Sequence, residues 1–280
     1  MTPTLHVLLI SCADSRGLIH RITAALARHS LNITENHEYV DRNNGMFFMR
    51  TEVEGTVNVE ALLSELRQDL PTGAEVEFRP QTARKLVILA TKEPHCLGDL
   101  LLRGSSGELN AQILAVVSQY DELEDLVARF DIPFHHVPVP DGDRGLHESA
   151  LEKVIRPYEP DFLVLAKYMR ILSPSFVRGY PNRIINIHHS FLPAFVGKSP
   201  YTQAYERGVK IIGATAHFVN ESLDEGPIIT QSVTSINHTQ DPSDLARAGR
   251  DTEKIVLAKA LHLVLENRVI VQSQKTIVFE

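Results

Sequence analysis

The chain has 280 residues, of which 43% are hydrophobic and 22% charged, and a formal net charge of −7. This composition is typical of a globular protein with an ample core, and the length suits two domains. The negative charge argues against nucleic acid or membrane as a partner, and no run approaches the ~20 apolar residues of a membrane span. The two cysteines, Cys12 and Cys96, indicate neither a disulfide framework nor a CxxC motif. A reducing cytoplasm is therefore the expected location.

Residues 1–80 have the element order of a ferredoxin-like βαββαβ module. Leu5–Ser11 is an apolar, strand-type run, and Ile19–His29 has the apolar spacing of a helix. Two further strands flank Asn44-Gly45, and an Asn-Gly pair is a strong hairpin signal. A second helix over Val59–Leu70 and a strand over Ala74–Phe78 complete the module. These elements predict a small α/β domain at the N-terminus.

The second part of the chain has a different order of predicted elements. Residues 81–84 are polar and predict a linker, and from Lys85 onward strands alternate with helices. This alternation predicts a Rossmann-like, mostly parallel sheet with strands at Leu86–Ala90, Gln112–Val117, Phe134–Val137, Phe162–Leu165, Ile184–Ile187, Ile211–Phe218 and Ile228–Val233. A long helix is expected after an Asp241 N-cap, followed by a terminal hairpin. The predicted domains are residues 1–80 and 85–280.

The stretch Ile184–Gln231 concentrates side chains suited to catalysis. An apolar run ends in Asn186-Ile187-His188, and the carboxyl ends of strands are where open α/β sheets bind ligands. Strand alternation places Asn186 and His188 on one side, where an amide and an imidazole suit an oxyanion and its proton partner. The alternative interpretation is that both side chains merely satisfy a strand-to-loop turn.

A carboxylate and a further histidine follow in the same stretch. His217 lies on a predicted strand that leads to Asp224-Glu225-Gly226, and spacing alone does not choose between the two acids. Catalysis needs a carboxylate near His188 to order a water or a proton-transfer partner, whereas an acidic turn is the structural alternative. No HExxH or HxH pair is present, and His188 and His189 are expected to point apart from a strand. No metal and no other cofactor is therefore expected.

Three ordered motifs resemble the formyltransferase family that uses 10-formyltetrahydrofolate. They are NIHHSFLP at 186–193, GATAHFV at 213–219 and LDEGPII at 223–229. The resemblance implies a catalytic trio of Asn186, His188 and Asp224, with supporting roles for His217 and His189. Tyr168-Met169-Arg170-Ile171-Leu172 is similar to the family's pterin loop, and the segment from Asn220 to Asp224 to its second wall. The implied substrate-binding residues are Met169, Arg170, Ile171, Leu172, Asn220, Glu221 and Leu223.

The N-terminal module resembles an ACT domain, a small-molecule-sensing unit, through the loop DSRGL at 14–18. The resemblance implies an effector site at Asp14, Arg16 and Gly17, with glycine and methionine as candidate effectors, and a homo-oligomer, either a dimer or a tetramer. The alternative is that Gly17 only serves the turn geometry and that the module only dimerises.

Members of the formyltransferase family that carry such a module hydrolyse 10-formyltetrahydrofolate to tetrahydrofolate and formate. The resemblance implies that reaction here, with folate substrate and water as partners and formate supplied to purine synthesis. One difference in sequence from the family's glycinamide ribonucleotide transformylases favours water as the nucleophile. Where they have a Gly-rich phosphate cradle, Glu93 adds negative charge and Pro94 lacks an N–H donor. Transfer to an unidentified amine, and a non-catalytic folate-binding or amino-acid-sensing protein, stay open as alternatives.

Overall fold

The computed structural model describes residues 5–140, 143–193 and 200–280. Contacts divide the chain into two compact units. The first contains the chain up to Thr82 together with Glu266–Ile270 and Ile277–Glu280, and the second contains Ala83–Leu265 and Val271–Thr276. The domain limits predicted from the sequence stay a prediction, and the contacts add that two short C-terminal segments join the first unit.

The first unit is a four-stranded antiparallel sheet with two helices. Its elements are β1 (Leu5–Ala13), α1 (Leu18–Arg28), β2 (Asn32–Asp41), β3 (Met46–Glu54), α2 (Val59–Asp69) and β4 (Glu75–Pro80). The strand order β2-β3-β1-β4 confirms the predicted βαββαβ arrangement. The apolar stripes of both helices, including Ile22, Leu26, Leu62 and Leu66, are fully buried in one core with Leu8. Burial of each such side chain contributes roughly 1.5–3 kcal/mol, which explains why the stripe spacing predicted these helices.

The second unit is built on a seven-stranded sheet in the order β11-β10-β9-β8-β5-β6-β7. Its elements are β5 (Arg84–Ala90), α3 (Pro94–Ser106), β6 (Ala111–Ser118), α4 (Glu124–Ala128), β7 (Phe134–His136), α5 (Arg144–Ile155), β8 (Phe162–Ala166), α6 (Pro174–Arg178), β9 (Ile184–His188), α7 (Pro200–Glu206), β10 (Ile211–Phe218), β11 (Ile228–Ser235) and α8 (Pro242–Leu265). Strands β12 (Val269–Gln272) and β13 (Lys275–Val278) form the predicted terminal hairpin.

The direction of the strands decides where their loops emerge. Strands β9, β8, β5, β6 and β7 are parallel neighbours, so the loops after β8 and β9 leave the sheet at the same edge. Strand β10 is antiparallel to β9, with His217 opposite Asn186 and Thr215 opposite His188. The mostly parallel sheet is thus confirmed, and the antiparallel β10 places His217 beside the end of β9.

Helix α8 begins after Asp241, as predicted. Asp241 caps it, because its Oδ1 accepts hydrogen bonds from the backbone N–H groups of Ser243 at 2.8 Å and Asp244 at 3.0 Å. The helix ends at Leu265, and Asn267 has a left-handed φ of 54°, a conformation that asparagine tolerates after a helix. Within the described ranges, no helix is both long and apolar enough to cross a membrane.

Candidate active site

Asn186, His188 and Asp224 line one cavity of about 310 Å³ in the second unit. His188 Nδ1 lies 3.3 Å from Asp224 Oδ1, and His217 Nε2 lies 3.8 Å from the same oxygen. Asn186 Nδ2 is 3.2 Å from His217 Nε2. The structure therefore brings the three predicted catalytic residues and His217 into one cluster.

The loop between β10 and β11 carries Asp224 to the end of β9. A Cβ at Gly226 would lie 1.7 Å from the backbone oxygen of Phe218, so only glycine allows the loop to return so closely along β10. Asp224 itself has a left-handed φ of 58°, which is uncommon outside glycine. The carboxylate beside His188 belongs to Asp224, whereas Glu225 is exposed. The structure thus makes the choice between the two acids that spacing left open.

The hydrogen bonds of His217 determine which ring nitrogen carries its proton. Its Nδ1 lies 2.9 Å from the backbone oxygen of Phe218 and donates to it, so Nε2 is left as the acceptor for the Asn186 amide N–H. Burial lowers the pKa of His217, which favours this neutral form. A neutral His217 therefore orients the Asn186 amide, whose second N–H remains as a donor.

His188 and Asp224 form the polar centre of the cavity. Burial raises the pKa of Asp224, but the hydrogen bond from His188 and the other interactions with the neighbouring histidines outweigh it and leave the pKa below its usual range. His188 is itself buried, and its Nε2 has no hydrogen-bond partner among the described residues. A buried ring nitrogen without a partner is costly in a folded protein, so it suits a site that is completed by substrate or water.

The position of His189 corrects one expectation. Its ring stacks on that of His188, with centroids 5.0 Å apart and planes 12° from parallel. The prediction that the two side chains point apart was wrong because β9 ends at His188, so strand alternation no longer applies to His189. Burial and then the nearby Lys167 ammonium lower the pKa of His189 to about 4, which keeps this ring neutral near pH 7.

The predicted substrate-binding residues form two walls of the same cavity. The loop after β8 supplies Met169, Arg170, Ile171 and Leu172, and the loop after β10 supplies Asn220, Glu221 and Leu223. Met169, Ile171 and Leu223 are each more than half exposed although they are apolar. Exposed apolar side chains grouped around a cavity are typical of a surface that receives an apolar or aromatic group.

The predicted effector residues lie in the first unit. Gly17 caps α1 with a left-handed φ of 82°, while a Cβ there would meet nothing within 4 Å. The backbone conformation, and not lack of space, therefore requires glycine. Asp14 and Arg16 are exposed, so their side chains are accessible to a ligand.

A buried polar network adjoins the cavity, and sequence reasoning missed it. Glu253 of α8 is fully buried and accepts hydrogen bonds from the Tyr201 hydroxyl at 2.6 Å and from His95 Nε2 at 2.7 Å. The Lys167 ammonium lies 3.3 Å from the same carboxylate. We call these four residues the Glu253 network. A glutamate within the apolar face of the predicted α8 was the available signal, because such residues are rarely buried without partners.

His95, Cys96 and Glu253 also hold potential metal-ligand atoms within 4.8 Å of one another. Burial, and next the charge of Glu253, raise the pKa of the Cys96 thiol, whereas a metal binds the thiolate. Both Glu253 oxygens already accept hydrogen bonds, and the Lys167 ammonium would repel a cation. The residues therefore fit an ion-pair network better than a metal site, and the expected absence of a metal stays a prediction.

Comparison with known proteins identifies the family. The family model described as formyl transferase matches residues 84–261, and the ACT domain model matches residues 6–70. The formyltetrahydrofolate deformylase of Escherichia coli strain K12 is 54% identical over 272 residues, which are 97% of each chain. The chain belongs to the formyltetrahydrofolate deformylase family. Both family resemblances predicted from the motifs are thereby confirmed.

Solved structures separate this family from its transferase relatives. A crystal structure of a formyltetrahydrofolate deformylase from Pseudomonas syringae pv. tomato matches with a TM-score of 0.95 and 39% identity, covering 100% of this chain and 95% of that one. Glycinamide ribonucleotide transformylase 1 from Symbiobacterium toebii matches with a TM-score of 0.68 and 28% identity. That match covers 75% of this chain and 100% of the transformylase. The family shares its catalytic fold with a transformylase and has an additional unit.

Proposed function

We propose that the cavity of the second unit hydrolyses 10-formyltetrahydrofolate to tetrahydrofolate and formate. Membership of the deformylase family supports this reaction. The observation that carries the proposal is the state of His188: its Nδ1 is held by Asp224, while its buried Nε2 is unpartnered among the described residues. An imidazole arranged in this way can accept a proton from water and later return it.

In the proposed mechanism, the formyl carbonyl lies between Asn186 and His188. The water oxygen bonds to the formyl carbon as its proton passes to His188 Nε2, and Asp224 stabilises the imidazolium that forms. Asn186 donates its N–H to the developing oxyanion, an interaction worth about 3 kcal/mol in comparable sites. The tetrahedral intermediate then breaks its bond to N10, and N10 takes the proton from His188. The cleaved formyl group leaves as formic acid, which gives its remaining proton to solvent and becomes formate, so the enzyme returns to its starting protonation state.

The two walls of the cavity are proposed to hold the pterin. A flat ring between them would cover the apolar side chains of Met169, Ile171 and Leu223, and backbone groups of the same loops would pair with its polar edge. His217 orients Asn186, and His189 supports His188 by stacking. The reaction requires folate substrate and water, with no metal or other cofactor.

The first unit is proposed to regulate the reaction. Hydrolysis of a biosynthetic cofactor would waste one-carbon units unless it were controlled. Controlled hydrolysis would balance the one-carbon pools and supply formate for purine synthesis. Loop 14–18 is the proposed binding site for an amino-acid effector, glycine or methionine, through Asp14, Arg16 and Gly17. We further propose that the chain acts in the cytoplasm as a homodimer or homotetramer, since ACT-like modules commonly pair with another copy.

The first test is product analysis with purified, metal-free protein, 10-formyltetrahydrofolate and no amine. Equal amounts of formate and tetrahydrofolate are expected, with near-complete loss of both in Asp224→Asn and His188→Ala. Asn186→Ala is expected to lower kcat by about 10²–10³, as removal of an oxyanion donor does. His189→Ala should have a modest effect. Retained activity in Asp224→Asn would overturn the assignment, formylated amine would favour a transferase, and binding without turnover would favour a sensor.

A further inference from the structure

The Glu253 network is costly to bury, and the hydrolytic steps above do not use it. Glu253 is fully buried, Lys167 is 5% exposed, and the pair is held by hydrogen bonds from His95 and Tyr201. Burying an ion pair contributes little to stability compared with well-packed apolar residues of similar volume. An ion pair beside a reaction cavity therefore points to a role in the reaction more than to a role in folding.

Several features of the chain are arranged to keep this pair in place. Lys167 has a left-handed φ of 60°, an uncommon conformation for lysine, and its backbone oxygen accepts a hydrogen bond from Thr91 Oγ1 at 2.7 Å. A Cβ at Gly249 would lie 2.1 Å from the Tyr201 hydroxyl, so glycine leaves the space through which Tyr201 reaches Glu253. The network is thus held from the loop after β8 and from α8.

The network reaches the cavity through Lys167, which lines it together with His188 and His189. The charge of Lys167 contributes to the lowered pKa of His189, and the His189 ring stacks on His188 on one side and lies 6.4 Å from the Tyr201 ring on another. The two loop walls are assigned to the folate. Lys167 and His189 belong to the rest of the lining, which also contains Asn186 and His188.

We propose that Lys167, held by Glu253, selects water over amines as the nucleophile. This inference rests on the proposed hydrolysis. Glu253 is the one ion-pair partner of Lys167 among the described residues, and an ammonium has three N–H groups, so others can donate to the attacking water. His95 and Tyr201 act as positioning residues for Glu253.

The selection of water over amines follows from the charge that develops on the attacking atom. When water attacks and loses its proton to His188, its oxygen becomes more negative, and a nearby ammonium stabilises it. When an amine attacks, its nitrogen becomes positive in the tetrahedral intermediate, and the same ammonium repels it. Most free amines are also protonated near pH 7, so their binding beside Lys167 is disfavoured as well. The positive charge of Lys167 therefore favours water over amines both when the nucleophile binds and when it attacks the formyl carbon.

The test is a competition between water and hydroxylamine, a small nucleophile that is uncharged near neutral pH. The full-length protein is incubated with 10-formyltetrahydrofolate and hydroxylamine, and formate and formohydroxamate are measured together. For Lys167→Met we expect the hydroxamate-to-formate ratio to rise about tenfold, and kcat for hydrolysis to fall about tenfold with KM nearly unchanged. Lys167→Arg, which keeps the charge, should retain more hydrolysis and a lower ratio than Lys167→Met.

The matched control is Lys153→Met, which removes an exposed lysine of α5 and should leave both the ratio and kcat at wild-type values. The product ratio does not depend on the amount of folded enzyme. If Lys167→Met does not fold, Glu253→Gln decides, because it keeps the side-chain volume and a hydrogen-bonding oxygen but removes the charge that holds Lys167. A ratio above that of wild type supports the inference, and a wild-type ratio overturns it.

The outcome for wild-type protein separates this inference from the proposed function. No formate from wild type in the absence of amine would refute hydrolysis itself. Formate from wild type, with an unchanged product ratio in Lys167→Met, would refute only the selection of water by Lys167. In that case the Glu253 network would be a structural support of the cavity.

Discussion

At the scale of single residues, hydrogen-bond partners restrict each polar group of the cavity to one donor or acceptor role. His217 donates through Nδ1 to a backbone oxygen and so must accept from Asn186, which leaves one amide N–H for the proposed oxyanion. His188 donates to Asp224 through Nδ1, and its Nε2 has no partner among the described residues, as the proposed proton transfer requires. The roles are assigned by hydrogen-bond partners, because an imidazole has one donor and one acceptor when it is neutral.

His189 leads to a prediction about pH and stability. Its pKa of about 4 in the folded protein lies below the usual value of 6.5, so the unfolded chain binds more protons between these values. Its contribution to stability is therefore fully present above pH 6.5 and is lost as the pH falls toward 4. His189→Gln removes this titration, and urea unfolding at several pH values should show a shallower loss of stability over that range. A variant curve parallel to wild type would contradict the lowered pKa.

At the scale of elements, two loops and one antiparallel strand assemble the cavity. Strands β8 and β9 are parallel and present their loops at one edge of the sheet, whereas β10 runs the other way and returns His217 to Asn186. The loop after β10 then brings Asp224 to His188. The trio is therefore assembled by β9 and by the loop that follows its antiparallel neighbour β10.

Gly226→Ala tests the loop that carries Asp224. The added Cβ would collide with the Phe218 backbone oxygen, so the loop must move and take Asp224 away from His188. We expect kcat to fall about 10²-fold or more, because small misplacements of a catalytic group have effects of that size. Gly208→Ala serves as control, since a Cβ there meets nothing within 4 Å, although its φ of 62° adds mild strain. Equal activity losses in both variants would argue against the role of Gly226 in positioning Asp224.

At the scale of the whole molecule, the end of the chain completes the first unit. Arg50 is fully buried in β3; its Nη1 lies 2.5 Å from Glu35 and its Nη2 lies 3.2 Å from the backbone oxygen of Glu266. Arg268 lies 3.1 Å from the same Glu35 carboxylate. The hydrogen bond from His37, with those from the two arginines, lowers the pKa of Glu35 to about 2. Deletion of the N-terminal residues would therefore also leave these C-terminal segments without partners, so point variants test regulation better.

Arg268→Ala should weaken the first unit selectively. Loss of a charge-assisted hydrogen bond costs about 1.5–3 kcal/mol, so amide exchange in β2 and β3 should quicken accordingly. The lowered pKa of Glu35 means that the interaction stabilises above pH 4.5 and is lost as the pH falls toward 2, so wild type and variant should converge in acid. Arg247→Ala, which removes an exposed pair with Asp244 on α8, should change stability by no more than about 1 kcal/mol. Similar protection of β2 and β3 in Arg268→Ala and wild type would disprove this role.

The sequence by itself determined the order of the elements, and its motifs predicted the residues of the main site. Apolar runs and stripes reflect burial, which is a local property of each element, so the βαββαβ module and the alternating strands were readable. The motifs also placed Asn186, His188 and Asp224 together. Spacing did not choose between Asp224 and Glu225, and only the tertiary structure showed that Asp224 lies beside His188. The tertiary structure also stacked His189 on His188 and joined Glu266–Ile270 and Ile277–Glu280 to the first unit. It alone revealed the Glu253 network, because four residues spread from His95 to Glu253 meet only when the chain is folded. Such long-range contacts leave no periodic signal in a sequence.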